Sequence, residues 1–190
     1  MRYLIAFCFA ACFLLSIDPP EELRLSDNEE SAFSEQLAAT IPACYKNGTF
    51  SLGKDLNTVR SATGAKTTFT ENGGYSYLSW KEYNPATLCD TFVHCTFRSG
   101  IMVGLAAISR FENTFFDKIS ALEALEPQFS CINEIRPLLE FGQNLSYVEE
   151  NLSRIQEFRL IKKSNLYSGM FYEIRYPDTP SYTNTFESHS

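Results

Sequence analysis

The stretch IMVGLAAISRFENTFFDKISALEALE, residues 101–126, decides how the fold of this chain is interpreted. Its large apolar residues recur at steps of three and four, which is the period of one face of an α-helix. The residues in this series are Ile101, Leu105, Ile108, Phe111, Phe115, Ile119, Leu122 and Leu125. Pro127 follows, and proline cannot continue a helix. The stretch therefore predicts one long amphipathic helix.

The segments around this stretch also show helical signals. Pro85 suits the first position of a helix, and Pro137 predicts a kink or break inside another one. Ser146 and Glu149 have the spacing of a capping box, which marks the start of a helix. Helices are accordingly predicted over residues 27–41, 85–97, 128–141 and 146–161.

Strand signals occupy two shorter regions. The segment CYKNGTFSL, residues 44–52, and the segment TTFTENGGYSYLSW, residues 67–80, each place a glycine-containing turn between Thr- or aromatic-rich runs, as in a β-hairpin. Residues 170–176 alternate between two faces, as a half-buried strand does. Trp80, the only tryptophan, is expected to be a core anchor.

Together these elements predict an α+β fold. A small antiparallel sheet from residues 44–83, joined by the strand at 170–176, would pack against three or four helices in one globular domain spanning residues 27–176. The alternative is an all-α, disulfide-linked bundle with a ribbon-like appendage, because the helical block has the clearer periodicity.

The first residues predict export. One basic residue, Arg2, precedes an apolar run that is too short to span a bilayer but has the length of a signal peptide, so residues 1–16 are expected to be removed. Residues 17–26 would be a mobile acidic leader and residues 177–190 a disordered tail. No later segment is long and apolar enough for a membrane span. The sequence thus predicts a secreted, extracellular protein.

Export would leave four cysteines, an even number in an oxidising compartment. They are Cys44, Cys89, Cys95 and Cys131. If residues 85–97 are helical, Cys89 and Cys95 lie about 9 Å apart along the axis, beyond the reach of a mutual disulfide. The prediction is therefore either 44–89 with 95–131, or 44–95 with 89–131.

Asp90 and His94 lie between two of these cysteines and would share one face of a helix. A zinc site needs more ligands than this pair supplies, and the only other histidine is His189. A nucleophilic thiolate would be lost in a disulfide. The pair is therefore interpreted as an exposed ion pair, and no catalytic residue, metal site or cofactor is predicted.

Three Asn-x-Ser/Thr sequons would be open to glycosylation in a secreted eukaryotic chain. Asn47 lies in a predicted turn and Asn144 precedes a predicted helix cap, so both are expected to carry glycan. Asn151 borders the predicted buried stripe of the last helix. It is expected to be largely unmodified.

The charge of −7 at pH 7 argues against nucleic acid as a partner, because such binding depends on clustered Lys and Arg. The predicted function is a secreted, disulfide-stabilised, N-glycosylated protein that binds an unknown extracellular protein. One alternative is a carrier of a small hydrophobic ligand inside a cavity. Its cavity would be lined by Phe92, Phe111, Phe115, Phe116, Phe129, Phe141 and Phe158. A remote alternative is a secreted enzyme with dispersed site residues such as Glu82, Asp90 or His94.

Overall fold

The computed structural model describes residues 44–64, 66–85, 87–141, 144–149 and 153–182. The predicted signal peptide, the acidic leader, the helix over 27–41 and Asn151 lie outside these residues.

One antiparallel sheet of seven strands dominates the described part of the chain. Its strands are β1 (Thr68–Asn72), β2 (Tyr75–Asn84), β3 (Cys89–Arg98), β4 (Ile101–Phe115), β5 (Asn144–Glu149), β6 (Arg154–Lys163) and β7 (Leu166–Arg175). Their spatial order is β1-β2-β3-β4-β7-β6-β5. The sheet therefore consists of two meanders, β1 to β4 and β5 to β7, joined where β4 pairs with β7.

Short helices accompany the sheet. They are α1 (Leu56–Thr63), α2 (Lys118–Leu125) and α3 (Ile132–Phe141), with a 3-10 turn at Lys46–Gly48. Asp117 caps α2, because its side chain accepts a hydrogen bond from the Ser120 backbone N–H at 2.8 Å. Helices α2 and α3 lie in the connection between β4 and β5, so they carry the chain from the middle of the sheet to its far edge.

The predicted α+β arrangement with three or four packed helices is wrong, and so is the all-α alternative. The stretch 101–126 forms β4 and then the short α2. Strand β4 is covered on both faces, so apolar residues fill consecutive positions: Ala106 and Ala107 are both buried, on opposite sides. A strand buried on both faces loses the alternation of apolar and polar residues, and the spacing of its larger side chains then imitates a helix.

Two other predicted helices are strands, for different reasons. Residues 85–97 contain most of β3, in which Cys89, Thr91 and Val93 are buried while the residues between them are half-buried. Residues 146–161 contain most of β5 and part of β6, and the Ser-x-x-Glu pattern lies inside a strand rather than at a helix start. Both segments show the alternating burial of strands, and their helical spacing arises from apolar residues that lie on both faces of the sheet.

The remaining elements divide. The hairpin over 67–80 is confirmed as β1 and β2, with Gly73 and Gly74 at the turn. The strand over 170–176 is confirmed for residues 170–175 of β7, but it is buried on both faces rather than half-buried. The hairpin over 44–52 is wrong, since a 3-10 turn replaces it and α1 follows. The helix over 128–141 is correct for its second part, α3, which contains Pro137.

The hydrophobic core lies on one side of the sheet, which we call the helix face. Side chains of β2, β3, β4 and β7, including Leu78, Val93, Leu105 and Tyr172, point to this side. They pack against α1 to α3 and against the segment before α1, in a cluster that also contains Cys44, Tyr45, Phe50, Val59, Leu122, Leu125, Phe129, Ile132, Ile135 and Leu139. The described helices therefore cover only one face of the sheet, and the opposite face does not contact them.

Candidate functional site

The side of the sheet opposite the helices, which we call the second face, carries most of the sheet's polar and titratable side chains. They alternate with the core residues along each strand. Those on the second face include Tyr77, Ser79, Lys81 and Tyr83 from β2, Asp90, Phe92 and His94 from β3, Ile108 and Arg110 from β4, and Phe171, Glu173 and Arg175 from β7. A sheet face that contacts only water would carry mainly polar residues. The second face instead mixes aromatic rings with charged side chains.

One end of the second face contains an open groove of about 550 Å³. Its lining residues are Lys81, Tyr83, Asp90, Arg110, Phe111 and Glu112. The strand register explains the assembly, because Asp90 lies directly opposite Tyr83 on β2 and Arg110 on β4. Two cationic and two acidic side chains therefore meet in one depression.

The acids of the groove have different environments. Asp90 forms an ion pair with Lys81 through Oδ2, while its Oδ1 is shielded from solvent and has no hydrogen-bond donor among the described residues. Glu112 accepts a hydrogen bond of 3.3 Å from the Tyr83 hydroxyl. Desolvation and the nearby Glu112 carboxylate raise the pKa of Tyr83, so its hydroxyl remains a donor. Asp90 Oδ1 is thus a shielded acceptor beside the groove whose hydrogen-bonding capacity no described residue uses.

His94 lies farther along the same face, between two aromatic rings. The centroid of its imidazole is 5.2 Å from that of Tyr77 and 4.6 Å from that of Tyr182. Its Nδ1 is 2.8 Å from the Ser79 hydroxyl oxygen. Burial lowers the pKa of His94 to about 4, so the ring is neutral at physiological pH. The predicted Asp90–His94 pair is wrong: both side chains lie on the second face, but Phe92 separates them along the strand.

After β7 the chain turns back over the second face as a short segment, residues 176–182, which we call the strap. Its first turn is held by backbone hydrogen bonds from Tyr176 to Val103 and from Thr179 to Tyr176. A Cβ atom at Gly104 would lie 3.1 Å from Thr179 Cγ2, so the strap passes close to β4 at this glycine. The first residues of the predicted tail therefore pack on the sheet, and residues 183–190 lie outside the described part of the chain.

Glu173 holds the end of the strap. Its side chain is only 4 % exposed, and it accepts hydrogen bonds from the Tyr182 backbone N–H at 2.6 Å and from the Ser181 hydroxyl at 2.9 Å. The Arg175 guanidinium adds a third contact at 3.2 Å. Burying a carboxylate costs on the order of several kcal/mol in lost hydration, and these three contacts offset that cost.

The cysteine pairing differs from both predicted alternatives. Cys44 is bonded to Cys131, while Cys89 and Cys95 are free and buried. The argument that separated Cys89 from Cys95 used a helix, yet the conclusion that they do not bond each other holds in a strand, where six residues span about 20 Å. The error lay in requiring partners for both. The disulfide instead fixes the segment before α1 to the start of α3.

Two residues considered for function serve the helix face. Trp80 is buried, contacts Phe50 at 5.2 Å between ring centroids, and donates its indole N–H to Glu82 at 2.7 Å. Glu82 also accepts from the Tyr45 hydroxyl at 2.9 Å and pairs with Lys46. The expectation that Trp80 is a core anchor is confirmed. Of the three residues named for dispersed catalysis, only Asp90 lines the groove, so the structure does not bring them together.

The phenylalanines proposed to line a carrier cavity lie in separate places, as far as their side chains are described; the side chain of Phe141 is not among these. Phe111, Phe129 and Phe158 are in the core, where the latter two contact the Tyr172 ring at centroid distances of 5.9 and 5.0 Å. Phe92 lies on the second face beside Tyr182, and Phe116 is 86 % exposed. Since these rings point to different sides of the sheet or to solvent, they do not line one common space.

Sequence reasoning missed a buried polar cluster on the helix face. The amide oxygen of Gln128 accepts hydrogen bonds from the Thr91 hydroxyl at 2.6 Å and the Ser109 hydroxyl at 3.3 Å, and the Cys89 thiol lies at 3.6 Å. Desolvation raises the pKa of Cys89, which keeps its sulfur protonated. The only sequence signal was the occurrence of small polar residues at inward positions, and that signal is visible only once the strands are assigned.

The second face has no metal-binding geometry: among the residues described, no three His, Cys, Asp or Glu side chains come together as ligands. No helix in the described ranges is long and apolar enough to cross a membrane. Comparison of the chain with protein-family models, curated protein sequences and solved structures found no match. The case for a function therefore depends on the residues themselves.

Proposed function

We propose that the chain is a secreted binding protein whose partner is an extracellular protein, and that the groove on the second face receives a polar segment of that partner. The observation that carries this proposal is Asp90 Oδ1, a desolvated carboxylate oxygen with no donor among the described residues, next to the cationic Lys81 and Arg110. A buried acceptor without a donor is costly, and a bound N–H or O–H group would satisfy it once the Asp90 side chain turns this oxygen toward the groove.

The groove suits a polypeptide better than an apolar small molecule. Apolar ligands bind in enclosed pockets with mainly hydrophobic walls. This depression is open, and charged residues make up most of its lining. A peptide segment offers both backbone donors for Asp90 and carbonyl or carboxylate acceptors for Arg110, so one ligand class can satisfy both signs of charge.

The carrier alternative has less support. Phe111, Phe129 and Phe158 fill the core, where side chains pack closely around Tyr172, and Phe92 contacts the strap. Export and glycosylation belong to the proposal. Their support is the N-terminal pattern and the sequons at Asn47 and Asn144, and the Cys44–Cys131 bond is compatible with an oxidising compartment.

The test compares two charge reversals that change net charge equally. Arg110→Glu alters the groove, whereas Arg98→Glu alters an exposed residue at the opposite end of the β3–β4 hairpin. Each variant and the unchanged protein are immobilised and exposed to the fluid into which the protein is secreted, and retained proteins are quantified by mass spectrometry. We expect a protein retained by the unchanged chain and by Arg98→Glu to fall at least about tenfold with Arg110→Glu, as for loss of one charge-assisted contact.

Equal retention by both variants would contradict the assignment of the groove. A small apolar molecule found with the purified protein, in place of any retained protein, would favour the carrier. N-terminal sequencing should begin between residues 16 and 21, and amide-cleaving glycosidase should convert Asn47 and Asn144 to Asp. A secreted protein that retains Met1, or that is unchanged in mass by the glycosidase, would contradict those parts separately.

A further inference from the structure

We propose that residues 176–182 form an acid-released strap, which stays closed while His94 beneath it is neutral and opens when His94 is protonated. This inference does not depend on the groove or on any partner, because it concerns a segment of the chain and the face it covers.

The geometry places His94 under the last residue of the strap. Tyr182 covers the imidazole at 4.6 Å between centroids, Tyr77 contacts it from β2 at 5.2 Å, and Ser79 bonds its Nδ1. An added proton would place a charge between two rings that exclude water. Because release of Tyr182 is the simplest way to hydrate that charge, protonation and opening are linked.

Besides the packing of Tyr182, the strap makes several polar contacts. Glu173 accepts from Ser181 and Tyr182, and Thr179 donates its hydroxyl proton to the Val103 carbonyl at 3.2 Å. Tyr75 donates to the Asp178 carbonyl at 3.2 Å. The paired register of β4 and β7 ends at Gly104 and Arg175, and Tyr176 adds one backbone hydrogen bond to the Val103 carbonyl. The segment after Tyr176 can therefore leave without breaking the ladder between β4 and β7.

The charged groups around His94 do not stabilise a protonated imidazole in place of water, because the acids among them are paired with other residues. The charged groups on the second face are Lys81, Asp90, Arg110, Glu112, Glu157, Arg159, Glu173 and Arg175. Arg159 pairs with Glu157 at 3.9 Å. Glu173 shares the cross-strand row of His94, but Ala106 lies between them and the carboxylate already pairs with Arg175. Asp90 pairs with Lys81. Burial raises the pKa of the Tyr182 hydroxyl, and the positive charge of Arg110 partly offsets this rise. Arg110 is therefore close to the strap.

The direction of the switch follows from linkage. Burial lowers the pKa of His94 to about 4, whereas an exposed imidazole has a pKa of about 6.5. The open form therefore binds a proton more readily between these values, and acidification favours it. If opening restores the ordinary pKa fully, the ratio of open to closed forms rises by up to about 70-fold between pH 7.5 and pH 4.5.

Opening would change the second face substantially. Tyr182 packs with Ile108, Phe171 and Ala106, which form a small hydrophobic cluster separate from the main core. Phe92 lies at 6.3 Å from Tyr182 and is adjacent along β3 to Asp90 in the groove. Release of the strap in acid would thus extend the charged groove by an aromatic and aliphatic surface.

The experiment measures amide hydrogen exchange by NMR between pH 7.5 and pH 4.5, with rates corrected for the intrinsic effect of pH. The Tyr182 amide, which donates to Glu173, reports the strap, and the Ala107 amide within β4 reports the sheet. We expect protection at Tyr182 to fall by a factor of tens, up to the limit given above, while Ala107 remains protected.

His94→Phe keeps a ring between the two tyrosines but cannot titrate, so it should keep Tyr182 protected at pH 4.5. His189→Gln, which removes the other histidine, should behave like the unchanged protein. Loss of protection in His94→Phe as well would assign the trigger to another group and overturn the proposal. If His94→Phe does not fold, the unchanged protein still tests the proposal. Titration of the His94 ring signals while the Tyr182 amide stays protected would overturn it. So would a loss of amide protection at Ala107 that parallels the loss at Tyr182.

Discussion

Removal of the Cys44–Cys131 disulfide should lower stability by an amount that its loop length sets. The two cysteines are separated by 87 residues in sequence. For a loop of this size the chain-entropy model gives about 4.5 kcal/mol at 25 °C. A change of 1 kcal/mol moves the melting temperature by roughly 2–4 °C in a domain of this size, so the double variant Cys44→Ala/Cys131→Ala should melt about 10–15 °C lower.

Thiol titration tests the pairing itself. In denaturant without reductant, a chain that lacks residues 1–16, and with them Cys8 and Cys12, should contain two reactive thiols, Cys89 and Cys95. The folded protein should show almost none, because both sulfurs are buried and burial raises the pKa of the Cys95 thiol. Cys44→Ala alone should give three thiols, and Cys95→Ala should give one without loss of the disulfide. No reactive thiol in the denatured, unreduced protein would refute the reasoning, since Cys89 and Cys95 would then be bonded.

Three further outcomes follow from the packing and the titration. Gly169→Ala should lower the free energy of unfolding by about 3 kcal/mol or more in denaturant titration, because the new Cβ would lie 2.0 Å from the Ser109 carbonyl oxygen. Gly104→Ala should lower it less, because the Thr179 side chain can shift. Equal losses in the two variants would contradict this reasoning. Phe158→Ala should cost about 3–5 kcal/mol, because the ring is fully buried against Tyr172, and a loss below about 1 kcal/mol would contradict its place in the core. Since the pKa of His94 falls on folding, the unfolded chain binds more protons and the free energy of unfolding should drop as pH falls from about 6.5 to about 4, by up to about 3 kcal/mol, an effect that His94→Phe should remove.

The elements that the sequence predicted correctly are those with purely local signals. The turn at Gly73 and Gly74 requires positive φ at both positions, which glycine adopts without strain, and it fixed the β1–β2 hairpin. A second turn of the same kind, Ser99 and Gly100, has φ values of 52° and 77° and joins β3 to β4. Such a two-residue turn favours a strand on each side, so the Ser-Gly pair is a local signal for the β3–β4 hairpin.

The main error had a tertiary cause. Whether residues 102–108 form a helix or a strand depends on what covers Ala106, and that cover is the strap, about seventy residues later in the chain. No local pattern contains this information. The groove was unpredictable for the same reason, since Lys81, Asp90 and Arg110 meet only through the register of three strands. Asp90 was identified as a candidate, but with His94 as its partner.

The junction of the two meanders has a kinetic consequence. Every other strand pair joins neighbours in sequence, whereas β4 pairs with β7 across a separation of about seventy residues, as at Gly104 and Arg175. Contacts of such high sequence separation slow folding, because loop closure precedes any gain from pairing. We expect the hairpins to form early and the β4–β7 seam to close late, so that two half-sheets with open edges coexist transiently. Because a Cβ at position 169 would meet the Ser109 carbonyl oxygen at this seam, we expect Gly169→Ala to slow its closure.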